Sequence, residues 1–512
     1  MKRLVTAAEM RSVDRAAIEQ HGMPAAVLME NAGAALTETA LRLASATGRF
    51  FVLCGRGNNG GDGLVVARRL HALGRTVHVE LVGGEERLSD EALRNLQALR
   101  AAGISPVAID DALEPTNGDV VVDAIFGTGL ARAPEGAFGE AVERIRHWRT
   151  RGAKVVAADL PSGLSSDTGQ AFEPCVEADA TCAFGLLKVG QAVEPGRSQC
   201  GAVELVDIGI PPSAWSRLEG DETWLVEEAD ARARLGPKRR SESHKGSYGH
   251  VLVVAGSWGK TGAAAMAAMA ALRTGAGLCT VATRPEALVP VLAHAPELMG
   301  LELVNDGPLG PGDLNPLLEA CDGKSALVIG PGIPRGEETA KLLETLLEEL
   351  EIPVVLDADA LNAVAQGRPG LLQRAQCPLV LTPHPGEMAR LCGIDVPAVL
   401  KDRMTLARGF AVREQVVLVL KGAATLTATE DGAVYVNPTG NPGMATGGTG
   451  DVLSGMIGAL LAQGLSPSDA AVTAVYAHGL AGDLAAARTG QMGLMATDLF
   501  KCLQDVWLRW ER

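Results

Sequence analysis

Residues 437–455 read Asn-Pro-Thr-Gly-Asn-Pro-Gly-Met-Ala-Thr-Gly-Gly-Thr-Gly-Asp-Val-Leu-Ser-Gly. A loop of Gly, Pro and Asn runs into Gly448-Thr449-Gly450-Asp451, and from Val452 apolar residues fall at helical spacing (Leu453, Ile457, Leu460, Leu461). Glycines let a backbone crowd against a ligand. A helix start leaves its first amides unpaired and carries partial positive charge, so it attracts phosphate. An aspartate at that junction can take a proton from a hydroxyl while the amides hold a phosphoryl group in transfer. The alternative is an aspartate that caps the helix.

A second set of polar groups lies at strand ends in the first half. Residues 51–54 are followed by Gly55-Arg56-Gly57-Asn58-Asn59-Gly60-Gly61-Asp62-Gly63, then a helical pattern over 64–73 and a strand over 76–82. That order is a βαβ unit with dinucleotide-type glycine spacing. The motif predicts a bend in which only glycine suits the backbone. Strand 120–126 runs into Gly127-Thr128-Gly129, and strand 155–159 runs through Asp159 into Leu160-Pro161-Ser162-Gly163. Ligands of an open parallel sheet sit beyond the carboxyl ends of its strands, so Asn58, Asn59, Asp62, Asp123, Asp159 and Ser162 are expected to share one crevice. Lys188 follows another apolar strand and is expected at the same edge, the alternative being a solvated surface lysine.

These groups need sheets to hold them, and 512 residues are too many for one ordinary core. Strand-like runs at 250–255, 279–283, 326–329, 353–356, 379–381 and 416–420 alternate with helices and end in glycine, proline or polar residues. They predict a second α/β sheet with its ligand along one edge. A Pro-rich lapse at 211–221 reads as a linker, giving domains 1–215 and 221–512. The basic stretch 236–248 reads either as a solvated loop or as a flap that brings positive charge to a nucleotide. A net charge of −15 argues against nucleic acid or an anionic membrane as main partner. Nine cysteines without C-x-x-C spacing read as reduced thiols in a cytoplasmic protein. No secretory signal pattern opens the chain, and its longest apolar run, at 263–272, is too short to span a bilayer.

From Glu9 to Pro211 these motifs resemble the NAD(P)H-hydrate epimerase family. The resemblance implies a Rossmann-like parallel sheet and a potassium ion held by Asn59, Asp123 and Ser162. It places the substrate against Asn58, Asn59, Gly60, Gly61, Asp62, Gly127, Thr128, Gly129 and Asp159. Inverting C6 of the hydrate needs an acid and a base, for which Asp159 and Lys188 are the candidates. Leu160 departs mildly from the family's usual Asp-Ile-Pro-Ser-Gly.

The second half resembles the ADP/ATP-dependent NAD(P)H-hydrate dehydratases of the ribokinase-like superfamily. The likeness runs through Asp357-Ala358-Asp359-Ala360-Leu361-Asn362, Thr382-Pro383-His384-Pro385-Gly386-Glu387 and Gly447-Gly448-Thr449-Gly450-Asp451. It implies that Ala263, Gly332, His384 and Asp451 touch the hydrate, with Asp451 catalytic. Lys421, Gly422, Ala423, Ala424, Thr425 and Gly450 would hold ADP or ATP, with Mg2+. Trp258 and Lys260 sit in a variable part of the loop after residue 255. The expected protein is a fused, cytoplasmic, homo-oligomeric repair enzyme for hydrated NADH and NADPH (NADHX and NADPHX). The alternatives are a small-molecule kinase for a thiazole or pyrimidine alcohol, and a first half that only binds.

Overall fold

The computed structural model describes residues 1–511 apart from 110–112, 217, 219–221, 237, 306 and 335, so the expected boundary at Asp221 lies outside the described residues. The chain divides into two compact units, Arg3–Thr223 and Trp224–Arg512, the second including Met1–Lys2. Among the described residues no helix is long and apolar enough to cross a membrane.

The first unit is built on a parallel sheet. Its strands, in chain order, are β1 (Phe50–Cys54), β2 (Val77–Leu81), β3 (Val120–Ala124), β4 (Lys154–Ala158), β5 (Ala180–Phe184) and β6 (Ala202–Val206). In space they run β2-β1-β3-β4-β5-β6, and every pairing is parallel. β1, β3 and β5 are buried along their whole length, as expected of short runs rich in Val, Phe and Ala covered on both faces. The strand order reverses between β1 and β3, which is where doubly wound sheets open a crevice for ligands. The loops that leave those two strands carry Asn58–Asn59 and Gly127–Gly129.

The helix after β1 differs from the sequence expectation. It runs Asn58–Ala72, beginning six residues before position 64, so the whole Asn-Asn-Gly-Gly-Asp-Gly motif forms its first turns. None of Gly60, Gly61 and Gly63 has positive φ. They are glycines because the helix lies almost on the sheet. A Cβ at Gly60 would stand 1.9 Å from Gly55 O, and one at Gly63 2.7 Å from Ala124 Cβ and 2.8 Å from Cys54 Sγ.

The strands of the second unit belong to a separate sheet. Its order is Met299–Glu302, Leu278–Thr283, His250–Val254, Ala326–Ile329, Val354–Leu356, Leu379–Leu381 and Val417–Leu420, all parallel, then the antiparallel pair Leu426–Ala428 and Val434–Val436. The order reverses between His250–Val254 and Ala326–Ile329. Helix Thr449–Ala462 is buried from Val452 to Ala462 and packs on the alanine-rich helix Thr261–Arg273. The approach is close enough that a Cβ at Gly455 would meet Ala267 O at 2.0 Å.

Candidate active sites

In the first unit Asp159 follows the last residue of β4 in a left-handed conformation (φ 62°) that non-glycine residues rarely adopt. Its amide donates to Cys182 O (2.9 Å), and its Oδ1 accepts from the Phe184 amide (3.0 Å). Lys188 forms an ion pair with the same oxygen and donates to Phe184 O at 2.9 Å. Gln191 braces both, donating to Asp159 O (2.6 Å) and accepting from the Lys188 amide (2.8 Å). Lys188 is wholly buried, so the solvated-lysine alternative falls.

This pair opens on a cavity of about 560 Å³ lined also by Asn58, Asn59, Asp62, Gly127, Thr128 and Gly129. Asp14, which the sequence reading did not single out, lines it too. Burial pushes Asp14 up to about 6 against the pull of Lys188, with Asp159 adding to the rise. Asp62 is raised well above the usual carboxylate range by burial and by the charges of Asp159 and Asp14. Three carboxylates thus surround one ammonium. Only the fold brings in Asp14, because it lies on helix Ala7–Arg15, which carries no glycine motif.

Four expected residues fall outside the cavity lining. Gly60 and Gly61 lie in the buried first turns of the helix, against Gly55 O and the Met29 side chain. Asp123 and Ser162 are fully buried and engage each other: Asp123 Oδ1 accepts from Ser162 Oγ (2.6 Å) and its Oδ2 from the Ser162 amide (2.7 Å). Ser162 Oγ also accepts from the Phe126 amide (3.0 Å), which ties together the loops after β3 and β4. Asn59 is different. Its Oδ1 and Nδ2 are buried, beside Gly127, without a hydrogen-bond partner among the described residues. Burial raises Asp123 to about 6 in spite of the bonds from Ser162 and Ile125. An orphaned amide oxygen and a buried carboxylate fit a hard cation that takes oxygen ligands.

In the second unit the N-cap of helix Thr449–Ala462 is Gly448 (φ 97°), and no side chain caps it. Asp451 is therefore not the cap. It lies in the first helical turn, three residues past Gly448, and the amides of Thr449, Gly450 and Asp451 precede the bond from Val452 to Gly448 O (3.0 Å). The preceding loop is pinned by Thr449 Oγ1, which donates to Met444 O (3.0 Å) and Thr446 O (3.1 Å). Burial and the charge of Asp357 raise Asp451 to about 7, opposed by Lys421.

Lys421 sits at the end of strand Val417–Leu420 and pairs with Asp357 Oδ1 at 2.8 Å. Burial works against its charge, but Asp357, Glu387 and Asp451 outweigh that and hold it above its ordinary value. A Cβ on Gly450 would lie 3.2 Å from its Nζ, so the expected nucleotide residues Gly450 and Lys421 are neighbours. Residues 422–425 turn sharply, with Gly422 at φ 144° and Ala424 at φ 51°, held by Thr425 Oγ1 on Gly422 O (2.8 Å). Arg403 donates to Ala423 O at 2.7 Å.

Ala263 and Gly332 also come together, a Cβ on Gly332 lying 3.2 Å from that of Ala263. His384 is exposed, and its Nδ1 caps helix Pro385–Cys392 by accepting from Gly386 (2.9 Å) and Glu387 (3.3 Å) amides. The partly covered inner side of its ring, with Lys421 and Arg390 near, lowers its pKa. Asp357, Asp359 and Glu387 stand within the family-like motifs, where sequence alone assigns them no role. The structure gathers their charge around Lys421 and Asp451, and Asp357 Oδ2 is buried with no partner among the described residues. Such a donor suits Mg2+ that arrives on phosphates, since that ion usually takes one or two protein carboxylates.

A doubly wound parallel unit with a carboxylate–lysine cavity, and a second α/β unit with a phosphate-type helix start, define a two-site enzyme. Comparison with known proteins gives the same division. A family described as YjeF-related protein N-terminus matches residues 25–190, and one described as NAD(P)H-hydrate dehydratase matches 251–505. The bifunctional NAD(P)H-hydrate repair enzyme Nnr of Moorella thermoacetica is 44% identical over 98% of this chain and 96% of its own length. Its Escherichia coli counterpart is 38% identical over 97% and 92%. A ribokinase-like superfamily protein of Enterococcus faecalis superposes on 56% of this chain and 96% of itself, with TM-score 0.50 and 27% identity. The chain belongs to the bifunctional NAD(P)H-hydrate repair enzyme family.

Proposed function

We propose that residues 1–215 form an epimerase domain that interconverts the R and S hydrates of NADH and NADPH. Residues 221–512 form a dehydratase domain that returns the S hydrate to NAD(P)H using ADP or ATP. The observation that carries this reading is Asp451: a carboxylate free of capping duty, raised to about 7, beside a lysine and an uncapped helix start. A general base works best with a pKa near the operating pH.

In the dehydratase domain Lys421, Gly450 and the 422–425 turn bind the nucleotide phosphates, and the amides at 449–451 hold the phosphoryl group in flight. Ala263, Gly332 and His384 border the hydrate. Asp451 takes the proton of the C6 hydroxyl as its oxygen bonds to phosphorus. The C6–O bond then breaks, phosphate leaves, and loss of the C5 proton restores the dihydronicotinamide. Mg2+ would come with the nucleotide, near Asp357, and neutralise phosphate charge.

In the epimerase domain Asp159 and Lys188 exchange protons at C6, with the substrate seated against Asn58, Asn59, Asp62 and the 127–129 loop. Potassium would be held by Asn59, Asp123 and Ser162, where it would supply positive charge near the substrate. A cytoplasmic, homo-oligomeric protein that acts on small molecules completes the reading.

Incubating mixed hydrates with ADP or with ATP tests it. Recovery of dihydronicotinamide absorbance with stoichiometric free phosphate is expected, and both epimers should be consumed. A stable phosphorylated product instead would make the second domain a small-molecule kinase. An R hydrate left untouched would reduce the first domain to a binding module.

A further inference from the structure

Helix Ala7–Arg15 is fixed in place before any ligand arrives. Thr6 and Glu9 form a reciprocal cap at its start, Arg3 pairs with Glu9 at 2.9 Å, and the Ala7 amide donates to Asp167 Oδ1 at 2.6 Å. Its inner face, with Met10 and Asp14, lines the same cavity as Lys188 and Asp159. The Asp159–Lys188 pair comes from the sheet edge, and Asp14 from the helix that follows strand Lys2–Val5, which itself pairs in parallel with Leu187–Lys188. Asp159 is committed to Lys188 and the Phe184 amide, whereas among the described residues Asp14 makes no ion pair. The charged groups that share the cavity with Asp14 are Lys188, Asp159, Asp62, Arg11, Arg56 and Glu91. Burial raises Asp14 to about 6, with Lys188 opposing and Asp159 adding, so a minority of molecules hold its proton near neutrality.

Epimerisation at C6 is a two-face reaction. Water must leave from one face of the ring and add to the other, and one acid–base group cannot reach both faces of a ring that is held still. We propose that Asp14 is a catalytic residue of the epimerase site, serving the face of the hydrate opposite to the Asp159–Lys188 pair. This rests on the epimerase reading above. In one direction the Asp14 carboxyl gives its proton to the C6 hydroxyl, the C–O bond breaks, and water departs. The ring nitrogen's lone pair stabilises the resulting cation. Water then adds to C6 on the other face and gives its proton to the Asp159–Lys188 pair, so one water leaves, one enters, and one proton crosses the cavity. The reverse direction returns that proton.

The test uses the full chain, a single hydrate epimer, no nucleotide, and water enriched in oxygen-18. The wild type should show label in both epimers; failure to interconvert them sinks the epimerase reading itself, whatever Asp14 does. In Asp14→Asn, inversion should fall about 10²-fold or more, the range for a lost general acid. Label should still enter the epimer whose hydroxyl faces the Asp159–Lys188 pair, with retention. Inversion near the wild-type rate overturns the proposal. So does a parallel fall of inversion and label exchange in a protein with an unchanged melting curve, which would make Asp14 a binding or positioning group. If Asp14→Asn melts early, Asp14→Glu decides: recovery of inversion supports a carboxylate at work, and no recovery removes it.

Discussion

Asp451 combines two properties that pull in different directions. Its carboxylate is poised as a base at about 7, yet burial makes its charge costly to the fold. Between the unperturbed value of 3.8 and about 7 the folded chain binds more proton than the unfolded chain, so this group's contribution to stability declines as pH rises across that window. Asp451→Asn should therefore melt at a higher temperature than the wild type above pH 7, by up to roughly 2 kcal/mol in stability, and the gap should close towards pH 4. Turnover of the S hydrate should drop about 10²–10⁴-fold with nucleotide binding little changed. Calorimetric titration and phosphate release in the same preparation separate the two; weak binding with normal saturated turnover would make Asp451 structural. Gly450→Ala should do the reverse, weakening nucleotide binding, because its Cβ would press on the Lys421 ammonium at 3.2 Å.

The buried Asp159–Lys188 pair calls for a different experiment. Removing one partner of a buried ion pair typically costs about 3–5 kcal/mol, because the other charge is left unpaired. Lys188→Ala is thus expected to lose both epimerisation and stability. Asp159→Asn keeps the oxygen that accepts from Phe184 but leaves the buried Lys188 ammonium without its counter-ion, so it should lower stability as well and slow R/S exchange by about 10²–10⁴-fold. Chiral separation of the hydrates over time measures it, with conversion of the S hydrate as the internal control.

At the scale of elements, helix Asn58–Ala72 shows how a motif reads two ways. Its glycines look like a loop signature, and a Gly-rich segment is a poor helix by propensity. Packing overrides propensity because only a side chain of one hydrogen lets the helix lie on β1 and β3. Gly60→Ala should then force the helix away from Gly55 O and destabilise the first unit by about 1–3 kcal/mol, as overpacking does. A lowered melting transition for residues 1–215, with Asn58 and Asn59 displaced and hydrate binding weakened, is the expected result. An unchanged transition would mean that the glycines serve the ligand and not the packing.

For the whole molecule, each unit has its own hydrophobic core. Each should fold when expressed alone. A chain beginning at residue 222 gives up the pairs that the Met1 amine makes with Asp230 (2.5 Å) and Lys2 with Glu227 (3.2 Å), which as surface ion pairs are worth about 0–1 kcal/mol each. It should stay soluble, convert the S hydrate, and leave the R hydrate untouched. An insoluble or inactive product from a chain that works at full length would show that the boundary is misplaced.

Much of this protein could be read along the chain because its signals are local. Short β-branched runs with polar carboxyl ends announce two parallel sheets, and a glycine loop before an apolar helix announces a phosphate site. Asp159, Lys188, Lys421 and Asp451 all stand in such places. Three things were settled only in three dimensions. Asp14 lies on an ordinary amphipathic helix, and nothing local marks the face that meets Lys188. Asp357 follows one strand and Glu387 lies in the first turn of helix Pro385–Cys392 after another, so their shared charge around Lys421 and Asp451 exists only once the sheet order is set. Asp123, within β3, and Ser162, in the loop after β4, look like crevice residues by position, but both are buried and bond each other, while among the described residues Asn59 is left without a partner. Periodicity along a chain tells which residues are buried; which buried groups meet depends on contacts between residues far apart in sequence, and only the tertiary structure supplies those.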